Sequence, residues 1–341
     1  TDTIYKWEEN TKTFRYITHI NKPNTSIYKL FIDSNSRLWI GTRSGLYLQD
    51  DTNQLHYIIA DKDIFEISED SQANIWIATR NSGMYKRDKN GQITKFEHDP
   101  DNPNTIPHNQ IRSFTEDNYG NIWIGTFVGL CRYNPSTDTY TVYKKDNLPG
   151  TLQHSSVFST YKDTQGTIWV GTYYGGVHYF NPETDCFSYY SSDITRNDCL
   201  SHFFVGKMVE DKNQNLWICT EGGGLNLFDR KTKTFRYLMA GKNKNSIAHN
   251  NLKCIRYSPK YDKLYIGTHT GGFTIYNMQN NTFHNFRDEK PDYHQVTGDI
   301  IMQLEFYTED LLIIQSRKGF YKLNLATEQL TPLFDHNTRV N

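Results

Sequence analysis

Side chains able to bind a small molecule follow a short phrase that the chain repeats, in loops that end at a glycine. These side chains change from copy to copy while the phrase before them stays nearly constant. They suit a saccharide, because aromatic rings stack on apolar faces and planar polar groups pair with hydroxyls. The candidate ligand-binding residues are Arg43, Arg80, Asn81, Phe127, Tyr173, Tyr174, Glu221, His269 and Arg317, with His154 and His202 from the connections between copies.

Signals for catalysis and for bound cofactors are weak. The chain has no Gly-x-Ser-x-Gly elbow, no histidine pair with metal-ligand spacing and no cysteine with an identifiable base. Gly222-Gly223-Gly224 lies between two predicted strands, so no helix N-terminus is available to hold a phosphate. We therefore predict no enzyme, no cofactor and no metal site. A carbohydrate-active lyase or hydrolase, the enzymatic alternative, would use Glu221 and His269.

The repeated phrase is best preserved as Leu38-Trp39-Ile40-Gly41-Thr42, and five of the six tryptophans occupy its second position. Its anchors stand at positions 39, 76, 123, 169, 217, 265 and 313, at intervals of 37 to 48 residues. A period of about 40 to 50 residues indicates stacked repeat units. Each phrase is apolar at consecutive positions, which predicts a strand covered on both faces.

One unit, residues 108–143, shows the plan of all of them. Strand-like segments at 111–115, 130–133 and 139–143 flank the Trp123 strand, with turn chemistry between them. Four short strands joined by tight turns form an antiparallel meander, the blade of a β-propeller. We predict an all-β fold, a seven-bladed β-propeller of four-stranded antiparallel blades, with an eight-bladed ring as the alternative.

The repeats also predict the organisation of the chain. We expect one propeller domain over residues 1–341, with seven repeat units in 20–335. Residues 1–19 align with a third and fourth strand and would be surplus strands of a preceding or closing blade. Residues 336–341 repeat the beginning of a first strand. These ends predict a piece cut from a longer array.

Composition narrows the choice of partners. The net charge is −1, from 37 basic and 38 acidic residues, so no overall field attracts nucleic acid or an anionic membrane. No apolar run approaches the roughly 20 residues that span a bilayer. Five cysteines without paired spacing predict buried free thiols. We expect no nucleic acid and no membrane contact within this chain.

The complete repeat, with an apolar third strand and Asn-Pro-x-Thr-x-x-Phe as at Asn181 to Phe187, resembles the two-component regulator propeller repeat. That resemblance implies a periplasmic sensor region of a Bacteroides-type hybrid two-component system. Its relatives join propellers to a β-sandwich, a membrane helix and a cytoplasmic kinase, and they respond to oligosaccharides. This chain shows one ring's worth of repeats and no signal peptide, β-sandwich, membrane segment or kinase motif. Its signalling role therefore rests on the resemblance.

The leading hypothesis is an extracytoplasmic ligand-sensing propeller that recognises an oligosaccharide and passes a signal to a kinase outside this chain. Its other expected partners are a neighbouring propeller or β-sandwich of the full-length sensor, or a second copy in a homodimer. The alternatives are a structural or protein-interaction propeller that binds no sugar, and the carbohydrate-active lyase or hydrolase. Binding of an oligosaccharide panel separates the first hypothesis from the structural propeller. The enzyme would instead release product from a polysaccharide, and Glu221→Gln or His269→Ala would abolish that release.

Overall fold

The computed structural model describes residues 3–8, 13–20, 25–50, 54–193, 195–196, 198–241, 245–286, 300–317 and 319–332. Every regular element in these ranges is a β-strand. In the described part of the chain, no helix is long and apolar enough to cross a membrane. The predicted start of a further repeat at 336–341 lies outside the described residues.

The first half of the chain forms one strand pair and three four-stranded sheets, which we call blades 1 to 3. The strand pair is β1 (Thr3–Glu8) and β2 (Thr13–His19). Blade 1 comprises β3 (Ile27–Ile32), β4 (Leu38–Thr42), β5 (Gly45–Gln49) and β6 (Leu55–Ala60). Blade 2 comprises β7 (Ile64–Glu69), β8 (Ile75–Thr79), β9 (Met84–Arg87) and β10 (Ile93–Phe96). Blade 3 comprises β11 (Ile111–Glu116), β12 (Ile122–Thr126), β13 (Gly129–Asn134) and β14 (Thr139–Tyr143).

Four more sheets follow as blades 4 to 7. Blade 4 comprises β15 (Val157–Lys162), β16 (Ile168–Thr172), β17 (Val177–Asn181) and β18 (Cys186–Tyr190). Blade 5 comprises β19 (Val205–Glu210), β20 (Leu216–Thr220), β21 (Leu225–Asp229) and β22 (Thr234–Leu238). Blade 6 comprises β23 (Leu252–Ser258), β24 (Lys263–Thr268), β25 (Phe273–Asn277) and β26 (Thr282–Asn285). Blade 7 comprises β27 (Ile301–Thr308), β28 (Leu311–Ser316), β29 (Phe320–Asn324) and β30 (Leu330–Pro332).

In each blade the four strands pair in chain order, so every blade is an antiparallel meander. This confirms the predicted fold class, a seven-bladed β-propeller of four-stranded antiparallel blades. The residues described contain seven four-stranded sheets, and β1 with β2 forms only a two-stranded sheet. The eight-bladed alternative has no eighth four-stranded sheet among them. The assignment of 1–19 to a closing blade stays a prediction, as do the single domain and its repeat boundaries.

The chain divides into two compact units. Unit 1 comprises Thr1–Asn147 and Ser155–Lys162, and it contains blades 1 to 3 and the first strand of blade 4. Unit 2 comprises Leu148–His154 and Asp163–Asn341, with the remaining strands of blade 4 and blades 5 to 7.

The repeated phrase forms the second strand of each blade. These strands are buried in blades 1 to 6, whereas in blade 7 only alternate residues of the strand are buried. Trp39, Trp76 and Trp123 are almost fully excluded from solvent. Their packing also explains the glycine of the phrase. A Cβ on Gly41 would lie 2.8 Å from the Ile64 side chain of the next blade. Blade-to-blade packing therefore selects a small residue at this position.

The turns between first and second strands contain a repeated hydrogen bond that the tryptophan pattern alone does not predict. An aspartate six residues before the tryptophan accepts the indole N–H at 2.6–2.9 Å, and its other carboxylate oxygen accepts backbone N–H groups of the turn. The pairs are Asp33–Trp39, Asp70–Trp76, Asp117–Trp123, Asp163–Trp169 and Asp211–Trp217. Each aspartate therefore stabilises its turn and supplies the partner that a buried indole N–H requires.

Candidate functional site

The threonine that ends the repeated phrase forms the loop that follows it. In blades 1 to 6 its hydroxyl donates to the carbonyl oxygen of the glycine at the start of the third strand, at 2.8–3.0 Å. The pairs are Thr42–Gly45, Thr79–Gly83, Thr126–Gly129, Thr172–Gly176, Thr220–Gly224 and Thr268–Gly272. In several loops the same hydroxyl also accepts a backbone N–H from within the loop. Because this threonine and the backbone hold the loop, the side chains between them can vary.

In unit 2, buried side chains of the third strands hold the connections that carry the loop histidines. Each of these side chains accepts the backbone N–H of the residue just before a histidine. The pairs are His178 with Gln153, Asn226 with Ser201 and Thr274 with Ala248, at 2.9, 2.8 and 3.2 Å. Burial lowers the pKa of His178 to about 4, so its ring is neutral near pH 7 and can accept this bond. The backbone just before His154, His202 and His249 is therefore held by the same kind of hydrogen bond in each connection.

The loop histidines themselves have a structural role in their turns. Nδ1 of His108, His202 and His249 accepts the backbone N–H two residues later, at 3.0, 3.2 and 3.0 Å. A ring nitrogen that accepts a hydrogen bond carries no proton, so these rings are neutral and their proton is on Nε2. Burial also lowers the pKa of His108 and His202. Each ring therefore retains one N–H donor for a further partner.

Unit 1 contains four of the predicted site residues, and two of them already have partners. Arg80 Nε donates to Asp63 at 3.0 Å, and its guanidinium lies over the Phe65 ring. Phe127 lies beneath the guanidinium of Arg112, 4.9 Å from the ring centroid. The two others, Arg43 and Asn81, are exposed, and an open cavity of about 730 Å³ is lined by Thr25, Ser26, Arg43 and Ser44.

Unit 2 brings several predicted residues into one aromatic group. Tyr173 and Tyr174 meet edge to face, with ring centroids 4.4 Å apart, and both rings lie near His154, at 6.2 and 5.8 Å. Phe203 extends the group, because its ring lies 4.9 Å from Tyr174 and stacks on His202 at 4.2 Å. We call Tyr173, Tyr174, His202 and Phe203 the aromatic ledge. Tyr174 is 54% exposed and Phe203 is 37% exposed, so solvent reaches the ledge.

A charged pair lies beside the ledge. The carboxylate of Glu221 accepts from Nζ of Lys253 at 2.5 Å, and the backbone N–H of Glu221 donates to the carbonyl of Phe204. The Phe204 ring contacts Tyr173 at a centroid distance of 4.6 Å. Lys253 is placed by a register shift between Leu252 and Cys254, which leaves it as an extra residue of its strand.

The charges of this pair affect the pKa values of two neighbouring histidines. Burial lowers the pKa of His202, and the nearby carboxylate of Glu221 partly opposes that shift. Burial also lowers the pKa of His269, and the positive charge of Lys253 adds to the effect. Nδ1 of His269 is buried and has no hydrogen-bond partner among the residues that the structure describes. We refer to the ledge together with Glu221, Lys253 and His269 as the unit 2 site.

The triple glycine permits the close approach of the charged pair to the ledge. A Cβ on Gly223 would lie 2.3 Å from Ser201 Oγ and 2.6 Å from His202 Cβ. A Cβ on Gly222, whose φ is +120°, would lie 3.2 Å from His202 Nε2. These glycines are therefore selected by packing against the histidine connection.

Outside this cluster, Arg317 is an exposed side chain whose backbone N–H donates to the Ile300 carbonyl at 3.0 Å. Sequence reasoning missed Phe203 and Lys253. Phe203 follows a predicted loop histidine directly, and that adjacency was an available signal. The register shift that places Lys253 has no such local signal. Across the residues that the structure describes, no group of three or more His, Cys, Asp or Glu side chains could hold a metal ion.

Comparison with known proteins links the repeat to a family. The family model of the two component regulator propeller matches residues 21–44, 105–127 and 151–174. These three segments are similar to the two-component regulator propeller repeat. Each matched segment ends in the variable loop after a Trp strand, and the three together reach Arg43, Phe127, Tyr173 and Tyr174. The matched segments therefore include four of the positions that the sequence predicts to contact a ligand.

A curated relative and two solved structures extend the comparison. Histidine kinase P4 of Formosa agariphila is 34% identical over 154 residues, which are 39% of this chain and 11% of the relative. A structure described as the extracellular domain of a hybrid two-component system from B. thetaiotaomicron is 17% identical, with a TM-score of 0.58. The match covers 97% of this chain and 51% of that one. This chain therefore spans a tenth to a half of these relatives.

The second solved structure is a catalytically inactive virginiamycin B lyase from Staphylococcus aureus in complex with quinupristin. It is 11% identical, with a TM-score of 0.62, and the match covers 88% of this chain and 95% of the lyase. Identities this low establish the shared fold alone. The same propeller fold occurs in the extracellular domain of a two-component system and in a lyase, so the assignment of function depends on the site.

Proposed function

We propose that this chain is a non-enzymatic, extracytoplasmic ligand-sensing propeller of a two-component signalling protein, and that its ligand is an oligosaccharide. The observation that carries the proposal is the aromatic ledge of unit 2, in a chain with three segments that match the two component regulator propeller model. The residues proposed to contact the ligand are Tyr173, Tyr174, His202, Phe203, Glu221 and His269, with His154 at the margin.

The chemistry of the ledge supports a saccharide ligand. Sugar rings present C–H faces that pack on exposed aromatic rings, and Tyr174 and Phe203 offer such rings side by side. Sugar hydroxyls need hydrogen-bond donors and acceptors, which His202 and Glu221 supply beside the rings. A ligand lying along the ledge would meet apolar and polar groups in alternation.

The signalling role and the location are proposed from the family. The segments that match the regulator propeller, together with the histidine kinase relative, support a kinase outside this chain as the recipient of the signal. We propose a periplasmic location because the similar B. thetaiotaomicron structure is described as an extracellular domain. Proposed neighbours are a second propeller, a β-sandwich or a second copy of the chain. Fusions of alkaline phosphatase to the full-length protein would test the location, and activity would be expected.

The proposed site is tested by calorimetry of the purified chain against plant and host oligosaccharides. We expect one or more members of the panel to bind, and Tyr174→Ala and Phe203→Ala to weaken binding at least about tenfold, because each removes a stacking surface. Tyr119→Ala is the matched control, since Tyr119 is an exposed aromatic in the blade 3 hairpin. A panel without binding, or equal losses in all three variants, would refute the proposal.

A second candidate is a protein-interaction propeller without sugar binding. It is favoured by the first strand of blade 1, where Leu30 and Ile32 present exposed apolar side chains on one face and Tyr28 is exposed at the register shift that precedes them. Light scattering of the chain and of Ile32→Asp would test it. A dimer that becomes monomeric in this variant would support the candidate, whereas a monomer in both would argue against self-association through this face.

A further inference from the structure

We propose that the unit 2 site selects uncharged oligosaccharides and discriminates against acidic ones, and that the Glu221–Lys253 pair sets this selectivity. The inference rests on the proposed function and extends it to the chemical class of the ligand. It also assigns a role to Lys253, which lies outside the repeated phrase and its loop.

The positive charge of Lys253 and the negative charge of Glu221 cancel beside the ledge. Lys253 is a cation that could attract a uronate or sulfate group, yet its Nζ lies 2.5 Å from a Glu221 carboxylate oxygen. Both side chains are partly buried, which strengthens their attraction relative to bulk water. An acidic sugar would have to compete with Glu221 for the same ammonium group and would be repelled by its carboxylate.

The backbone places Glu221 and Lys253 close to each other. The N–H of Glu221 donates to the Phe204 carbonyl, and Glu221 forms an isolated antiparallel bridge with Asn251. Lys253 is the extra residue at the register shift two positions after Asn251. Both members therefore project from adjoining, hydrogen-bonded backbone segments, which keeps the two side chains within reach of each other.

The neighbouring histidines His202, His249 and His269 add no positive charge to the site. Nδ1 of His202 and of His249 accepts a backbone N–H, which requires a neutral ring. Burial and Lys253 lower the pKa of His269, which agrees with a neutral ring there also. The site therefore offers aromatic surface and uncharged N–H donors, which suit hydroxyl groups, and its lysine is already neutralised.

The test uses three probes of equal length, with cellohexaose and mannohexaose as uncharged oligosaccharides and hexagalacturonate as the acidic one. The wild-type chain should bind an uncharged probe at least tenfold more tightly than hexagalacturonate. Glu221→Gln retains the size of the side chain but leaves the charge of Lys253 unpaired. We expect it to bind hexagalacturonate about tenfold more tightly than wild type, with a gain that shrinks as salt is raised. The double variant with Lys253→Gln should lose that gain.

Asp310→Asn is the matched control, because Asp310 pairs with Lys260 at 2.7 Å and its loss changes the net charge by the same amount. It should leave both affinities unchanged. A wild-type preference for hexagalacturonate, lost on Tyr174→Ala, would overturn this inference and leave the proposed function standing. A Glu221→Gln variant without a gain, or an equal gain in Asp310→Asn, would also overturn it. Binding of no probe, together with a silent wider panel, would refute the proposed function itself.

Discussion

The turns between first and second strands and the loops after the second strands use their side chains in opposite ways. In the turns, one aspartate returns in five blades and performs the same two tasks, bonding the turn and the tryptophan indole. In the loops, the repeated threonine holds the backbone while its neighbours change from Arg43 to Tyr173 to Glu221.

The contrast teaches where this chain places stability and where it places specificity. A buried carboxylate and a buried indole N–H must satisfy each other, so substitutions in the turns are costly. A loop held by its backbone and one threonine carries its other side chains without that constraint. Substitutions in the turns should therefore cost folding free energy, and substitutions on the ledge should cost ligand affinity. The predictions below test this division in order of decreasing effect on stability.

The largest loss is expected for Arg230→Ala. In unit 2, Nη2 of Arg230 donates to Asp163 at 2.7 Å and to Glu210 at 3.2 Å, and both carboxylates are almost fully buried. Removing the cation leaves two buried negative charges, so we expect the free energy of unfolding to fall by about 3–5 kcal/mol. Urea unfolding followed by tryptophan fluorescence would measure it. Arg230→Lys should recover only part of the loss, because lysine lacks the planar fork. A loss below about 1 kcal/mol would contradict the division.

The next largest loss is expected for Asp117→Ala in blade 3. It leaves the Trp123 indole N–H and the backbone N–H groups of Tyr119 and Asn121 without their acceptor. We expect a loss of about 2–3 kcal/mol. Asp117→Asn retains one acceptor oxygen and should lose less. Equal stability of wild type and Asp117→Ala in urea would show that the indole bond does not stabilise the blade.

A smaller, pH-dependent effect is expected at Glu328 in the last turn of blade 7. Hydrogen bonds from His284 and Lys263, together with their charges, outweigh burial and lower its pKa from 4.5 to about 2. A carboxyl with a depressed pKa stabilises the fold above its unfolded pKa, and that stability is lost as the pH falls from about 4.5 toward 2. We expect a contribution of about 1–2 kcal/mol. Glu328→Gln should flatten this part of the stability profile, and an unchanged acid limb would contradict the assignment.

The smallest effect on stability is expected on the ledge. Tyr174 is half exposed, so Tyr174→Ala should change the free energy of unfolding by less than about 0.5 kcal/mol. The same variant should lose oligosaccharide affinity, as proposed above. Urea unfolding and calorimetry on one preparation would show both. If stability falls by more than about 2 kcal/mol, Tyr174 belongs to the scaffold, and the division between turns and loops fails in blade 4.

Much of the fold could be predicted because its signals are local. The tryptophan spacing and the turn residues predicted seven four-stranded blades, and the structure confirms the number of blades and the number of strands in each. The interval of six residues between the aspartate and the tryptophan is also present in the sequence. An aspartate in a turn is, however, already explained by its hydrogen bonds to the turn backbone, so the interval alone does not predict its bond to the indole. The sequence does not predict that His178 and Asn226 are buried acceptors. The role of a polar residue in a strand depends on its partner, and here the partner comes from a connection distant in sequence.

The amino-acid sequence alone determined the blades and the loops that contain the candidate recognition residues. Strand periodicity and turn chemistry are properties of short segments, and the repeat at intervals of 37 to 48 residues is visible along the chain. Only the tertiary structure decided which of those residues share a site. Tyr174 and Phe203 come from different repeats and meet through blade packing. Lys253 reaches Glu221 because a register shift reorients one residue of its strand, and pairing with the neighbouring strand creates that shift.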